Sequence, residues 1–227
     1  MALPDKTLKL CSCHATMPAP EELARANFYG LLARLFYAPP DATLLERLAG
    51  AEDLAAEEGL MPEAWQALVW AAARADVDAV HEVYESAFVG TRKPLVSLHA
   101  TAYTPRCSSK VPLLVLRADF AELGLVRHRS SHQPEDHIAG LCDVMRHLIQ
   151  TRKRGLAQQG RFFNRWIAPA AQPLCNAVAK QLGRSFYEHV ARFAGAFFEI
   201  ERSAFAMSPA EAPRRFGSWN EPDTHLS

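Results

Sequence analysis

An all-α bundle of about ten helices is the fold class this sequence predicts, and three observations carry it. Apolar residues recur at helical spacing in segment after segment. No segment alternates apolar and polar residues as a half-buried strand does, and no fixed-period repeat is present. Alanine, leucine, glutamate and arginine, all good helix formers, are abundant. An irregular stretch near 91–110 joins two sub-halves of this single bundle.

The elements follow in order. Residues 1–19 carry Pro4 and Pro18 and little periodicity, and read as a disordered lead-in. Pro20, Glu21 and Glu22 suit a first helical turn. Leu23, Ala26, Asn27, Gly30, Leu31, Arg34 and Leu35 then form a stripe widened by Phe28, Leu32 and Phe36, until "YAPP" ends it. Asp41 caps a short helix that Gly50 closes. "MPEAWQALVWAAARA" is a helix with Pro62 in its first turn. "DVDAVHEVYESAFVG" follows, with Val77, Val80, Val83, Tyr84, Ala87 and Phe88 on one side and Gly90 at its end. The 91–110 stretch holds Pro94, Pro105 and several Ser and Thr residues, and long ordered loops of this kind are often functional. Helices resume with "VPLLVLRADFAELGL", "PEDHIAGLCDVMRHLIQTRKR", "LAQQGRFFNRWI", "APAAQPLCNAVAKQLG" and "RSFYEHVARFAGAFFEIERSAF". The helical domain spans 20–206, and the polar, Pro-rich residues 207–227 read as a disordered tail.

Composition narrows the function classes. The 227 residues are 49% hydrophobic and 22% charged, which suits a globular protein with a real core. Lys+Arg and Asp+Glu number 25 each, so a broad nucleic-acid surface is not expected. No apolar run reaches the roughly 20 residues of a membrane span, and "MALPDKTLKLCSCHATMPAP" lacks the apolar core of a secretory signal. A cytoplasmic location is the expectation. The five cysteines are odd in number and irregularly spaced, which is no disulfide framework. "CSCH" at Cys11–His14 offers at most three soft ligands, whereas zinc sites need four, or three plus water. Cys142 and Cys175 fall on apolar helical stripes and read as core thiols.

The densest chemistry lies in "SSHQPEDHIAGLCDVMRHLI", from Ser130 to Ile149. At roughly 100° per residue, Ile138, Leu141, Cys142, Met145, Leu148 and Ile149 make one apolar face. Glu135 and His137 fall at its edges. Asp136 points to the polar side with Asp143 and His147. The three side chains therefore do not converge from this helix alone, and a catalytic or metal site would need groups from elsewhere. A purely structural reading competes: Gln133 or Ser131 as cap, Pro134 in the first turn, and Glu135 and Asp136 where the helix dipole favours acids. His137 gains nothing from that dipole. The HExxH, P-loop, GxGxxG and G-x-S-x-G signatures are all absent. "VRHRSSH" before the motif is a basic loop, and "TRKR" after it supplies cations at the helix end.

Two segments together resemble the TorD/DmsD family of redox-enzyme maturation chaperones, to which the NarJ-type chaperones are related. "QPEDHIAGLCDVM" resembles the E-P-x-D-H-style signature, matching at Pro134, Asp136 and His137. "YESAFVGTRKPLVSLHATAY" is similar to the family's helix–loop block, matching at Tyr84, Phe88, Val89, Gly90, Pro94 and Ser97, with His99 in the same segment. "FFNRWIAP" is similar to a third family segment. The resemblance covers residues 20 to about 205.

What the resemblance implies is a chaperone rather than an enzyme. It would bind the twin-arginine signal peptide of a molybdoenzyme, or its apo catalytic subunit, until molybdopterin guanine dinucleotide is inserted. That cofactor belongs to the client, so no resident cofactor or metal is expected; weak GTP binding is known among some members. The implied client-binding residues are Asp136, His137, Glu135, Pro134, Tyr84, Phe88, Pro94, Ser97 and His99. A twin-arginine peptide presents two guanidiniums followed by an apolar run, so carboxylates beside apolar walls suit it. The protein would be a monomer or homodimer, without nucleic acid and without stable membrane insertion. Two other readings stand beside it: a metal-dependent hydrolase using Glu135, Asp136, His137 and His132, and an assembly factor that grips the catalytic subunit and ignores the signal peptide.

Overall fold

A computed structural model describes residues 19–54, 59–90, 94–104, 112–125, 134–151 and 155–207. The lead-in with Cys11, Cys13 and His14, the loop cysteine Cys107, the basic loop with Ser131, His132 and Gln133, Arg152–Arg154 of "TRKR", and the tail from Ser208 lie outside the described residues.

Nine α-helices form among the described residues: α1 (Pro20–Tyr37), α2 (Ala42–Ala49), α3 (Leu60–Ala73), α4 (Val77–Tyr84), α5 (Pro112–Glu122), α6 (Ile138–Gln150), α7 (Leu156–Phe162), α8 (Ala168–Gln181) and α9 (Phe186–Met207). They contain no strand, and one isolated antiparallel bridge joins His99 to His137. The all-α expectation holds, with nine helices where about ten were expected. None of these helices is long and apolar enough to cross a membrane.

Local chemistry sets the helix ends. Asp41 accepts a hydrogen bond from Leu44 N at 2.8 Å and opens α2. Asp76 does the same for α4 through Ala79 N at 2.9 Å. Each meets one of the donors that a helix start leaves unpaired. Ala38 turns extended ahead of Pro39 and ends α1. Two helices do not stop where the α pattern does. α4 runs on into a π turn at Glu85–Val89, and α7 into another at Phe163–Ile167.

The stripe of α1 differs from the one its spacing suggests. Its buried face is Ala26, Tyr29, Leu32, Leu35 and Phe36, while Leu23 is 45% exposed. Tyr29 has a polar tip that the spacing rule discounts, yet its hydroxyl reaches a buried acceptor. It donates to Glu201 Oε2 at 2.9 Å, and Arg25 grips the same carboxylate with two bonds of 2.6 and 2.8 Å. Arg25 also reaches Gln159 Oε1 at 3.3 Å and lies over the Phe205 ring. Arg25 thus ties α1, α7 and α9 together through Gln159 and Glu201.

α9 is the hub of the core. Phe28 of α1 meets Trp65 of α3 and both Phe193 and Phe197 of α9 at centroid distances of 5.4–5.6 Å. Tyr84 and Phe88 meet Tyr187 at 5.7 and 5.1 Å. These aromatic contacts add directional energy to their area burial. α1 packs on α6, and α3 and α8 pack on α9. The two sub-halves therefore interleave across the 91–110 stretch. Gly30 lets α1 approach α6, since a Cβ there would lie 3.2 Å from the Arg146 side chain. Cys142 and Cys175 are buried core thiols, and burial pushes the Cys175 thiol up to about 12.

Candidate functional site

The E-D-H run does not open α6 from inside its first turn. The helix begins at Ile138, and Pro134 to His137 form a turn ahead of it, with His137 N donating to Pro134 O at 3.1 Å. His137 itself is the cap: its Nδ1 accepts from Ala139 N at 3.3 Å. The cap expected at Gln133 or Ser131 falls outside the described residues, and a histidine takes the position. Glu135 and Asp136 accordingly lie outside the helix, where the 100° rule has no hold on them.

Asp136 is the largest departure. The wheel placed it on the polar side, but it is 3% exposed. The chain segment 97–101 folds over the start of α6 and covers it. Ala100 N donates to Asp136 O at 2.9 Å, and Ile138 N donates to Leu98 O at 2.8 Å, which makes the His99–His137 bridge. That pairing delivers two donors to the carboxylate. His99 Nδ1 lies 3.1 Å from Oδ1, and the Thr101 hydroxyl donates to Oδ2 at 2.5 Å. The His99 ring stands edge-on to that of His137 at 5.5 Å. Ser97 trims the same segment, accepting from His99 N at 3.3 Å through its hydroxyl and from the Tyr103 hydroxyl through its carbonyl at 2.8 Å.

The electrostatics follow from this arrangement. Burial works against the Asp136 carboxylate, but hydrogen bonds from His99 and Thr101 outweigh it and hold its pKa below the usual carboxylate range. The bond to Asp136 raises His99 despite partial burial. Burial, aided by a charged His99, lowers His137 to about 4. His137 is therefore neutral at pH 7, as its capping role requires, because a protonated Nδ1 has no lone pair for Ala139.

A pH experiment tests this cap. Between about pH 6.5 and 4 the unfolded His137 is protonated and the native one is not. The unfolded state then binds more protons, so stability falls on acidification, by about 3 kcal/mol from this residue. His137→Asn keeps a capping acceptor that does not titrate. Urea unfolding at pH 7, 5.5 and 4.5 is expected to show a shallower acid loss in the variant; parallel curves would contradict the cap assignment.

Glu135 turns elsewhere. Its carboxylate, 8% exposed, takes a two-pronged grip from Arg117 of α5, Nε to Oε1 at 2.9 Å and Nη2 to Oε2 at 3.3 Å. Glu135, Asp136 and His137 thus serve three different partners rather than one reacting point. Among the described residues no group of three or more His, Cys, Asp or Glu side chains is placed to hold a metal ion. Tyr84 and Phe88 lie in the core, 4% and 8% exposed, and the Tyr84 hydroxyl donates to Phe36 O and Tyr37 O at 3.1 and 2.8 Å. They support the 94–104 loop from behind: Ala87 O, between them, accepts from Val96 N at 3.1 Å. Pro94 opens the described part of that loop and is half-buried.

Sequence reasoning missed Thr101 and Arg117. Thr101 lies in a short 3-10 turn, Ala100–Ala102, directly after the extended His99, and no local period marks it. Arg117 is the lone charge in the run "PLLVLRADF" up to Asp119, and that isolation was its signal.

The described residues form an all-helical body with a hydrogen-bonded loop–helix junction between 97–101 and the start of α6. Residues 52–199 match the family model described as nitrate reductase delta subunit, and the chain belongs to that family. It is a family of maturation chaperones for molybdoenzymes, not of catalysts. No curated protein matches the chain.

Proposed function

We propose that this protein is a cytoplasmic chaperone for one molybdoenzyme. It binds the twin-arginine signal peptide of the catalytic subunit and the apo subunit itself, and holds them until molybdopterin guanine dinucleotide is inserted. The carrying observation is the Glu135 carboxylate, shielded from water yet presented at the turn before α6, and already matched in geometry to a guanidinium. Fork-to-fork pairing of this kind separates arginine from lysine. Asp136, His99, Thr101 and His137 hold the turn and the loop in register beneath it. Pro134 and Ser97 shape the two segments.

Calorimetry tests the reading with a synthetic peptide carrying two adjacent arginines before an apolar run, and with its Lys-Lys counterpart. The arginine peptide is expected to bind and the lysine peptide to bind more weakly. Glu135→Gln is expected to remove the difference. Equal binding of both peptides to the native protein would refute the site. A pull-down with a catalytic subunit lacking its signal peptide separates signal recognition from recognition of the subunit body.

A further inference from the structure

α5 is an odd member of the bundle. Only Leu116 of its 11 residues is buried, against seven of the 13 in α6. Leu114, one turn before Arg117, is 59% exposed. Leu116 is fully buried and Val115 and Phe120 pack on the core, and polar contacts add to this. Arg117 pairs with Glu135, and Asp119 accepts from Arg165 at 3.0 Å and Trp166 at 2.7 Å. Phe120 stacks on Phe162 with centroids 6.2 Å apart. An open cleft runs along this seam, lined by Asp119, Glu122, Gln158, Arg161, Phe162 and Arg165.

The Arg117–Glu135 pair is lopsided. The carboxylate side chain is 8% exposed and belongs to the turn before α6, whereas the guanidinium side chain is 53% exposed and belongs to the surface helix. The desolvation cost lies on the acceptor and is met by the fold. Among the described residues the donor makes no other hydrogen bond. Any helix that brings a guanidinium next to an apolar run could make the same contacts, and "PLLVLR" is itself such a run.

We propose that α5 is an internal stand-in for the client: its Arg117 and apolar residues occupy the seat that a client helix takes when it brings a guanidinium beside an apolar stretch. The inference rests on the signal-peptide reading and adds to it a competitor within the chain. Client binding displaces α5 from Glu135, and α5 reseats when the client leaves. Exchange of one apolar, arginine-bearing helix for another puts a guanidinium on the same two carboxylate oxygens in both states.

The test uses the full chain and the same twin-arginine peptide. A seat filled nine-tenths of the time weakens apparent affinity about tenfold. Arg117→Ala is therefore expected to bind the peptide about tenfold more tightly than the native protein. Peptide addition to the native protein is expected to speed amide exchange across 112–122. Glu135→Gln is expected to abolish the gain from Arg117→Ala. Equal or weaker binding by Arg117→Ala, or slower exchange in α5 with peptide present, overturns the stand-in and leaves signal-peptide binding intact. Absence of binding by the native protein and by Arg117→Ala alike overturns both.

Discussion

Glu201→Gln is expected to lower the unfolding free energy by about 3 kcal/mol, the usual cost of removing one partner from a buried ion pair. Glu201 is 1% exposed and takes three hydrogen bonds, two from Arg25 and one from Tyr29. The substitution preserves volume, so no cavity accounts for the loss. The Arg25 guanidinium stays behind without its counter-charge, its side chain only 20% exposed. Burial and the Glu201 carboxylate also keep Tyr29 well above the ordinary phenol range, so its hydroxyl remains a donor. Denaturant unfolding measures the effect. Replacing Arg25 and Glu201 with leucine together with Tyr29→Phe is expected to recover much of the loss, since that set leaves neither a charge nor the hydroxyl unpaired. A Glu201→Gln protein within about 0.5 kcal/mol of the native one would show that water already serves Arg25.

Asp136→Ala is the second large effect, expected at about 2–4 kcal/mol. It strips His99 and Thr101 of their acceptor and unhooks the loop from α6. Hydrogen exchange locates the damage: the amides of Ala100 and Ile138, which make the bridge, are expected to lose protection while the centre of α9 keeps it. The pH profile gives a second readout. His99 has a raised pKa, so its contribution is full below the ordinary histidine value and fades as pH rises through the folded one. Asp136 has a lowered pKa, so its contribution is present above the ordinary carboxylate value and is lost as pH falls through the folded one. The pair is therefore strongest between about pH 4 and 6.5, the window in which His137 weakens the fold. The slope from His99 lies above that window, where the native histidine still holds its proton and stability falls as pH rises. Asp136→Ala is expected to lose that fall above about pH 6.5, and an unchanged profile there would count against the pair.

The bundle was legible in the sequence because its helices announce themselves by spacing, caps and breakers. The face of α6 from Ile138 to Ile149 is buried as its period predicts. The candidate site was legible by residue type but not by direction. Asp136 lies outside the helix that the wheel assumed, since His137 caps it and histidine is not among the favoured capping residues. What buries Asp136 comes from residues 97–101, some 35 positions earlier, and no local period carries that pairing. Tyr29 was not among the stripe residues of α1, and its hydroxyl is buried against Glu201, 172 positions away. Long-range hydrogen bonds override local pattern at each of these points.

The π turn at Glu85–Val89 has a consequence for chain length. A π turn closes on the fifth residue where an α turn closes on the fourth, and here Gly90 N donates to Glu85 O at 2.8 Å. A homologue one residue shorter at this point would close the same helix as plain α. One residue fewer in an α turn completes about the same full circle, so the chain would leave the helix in nearly the same direction. Val96 would still face Ala87 O, and the segment carrying His99 and Thr101 would still set out toward Asp136. A gap between Glu85 and Val89 in an aligned relative therefore goes with the same loop route and removes only the π turn.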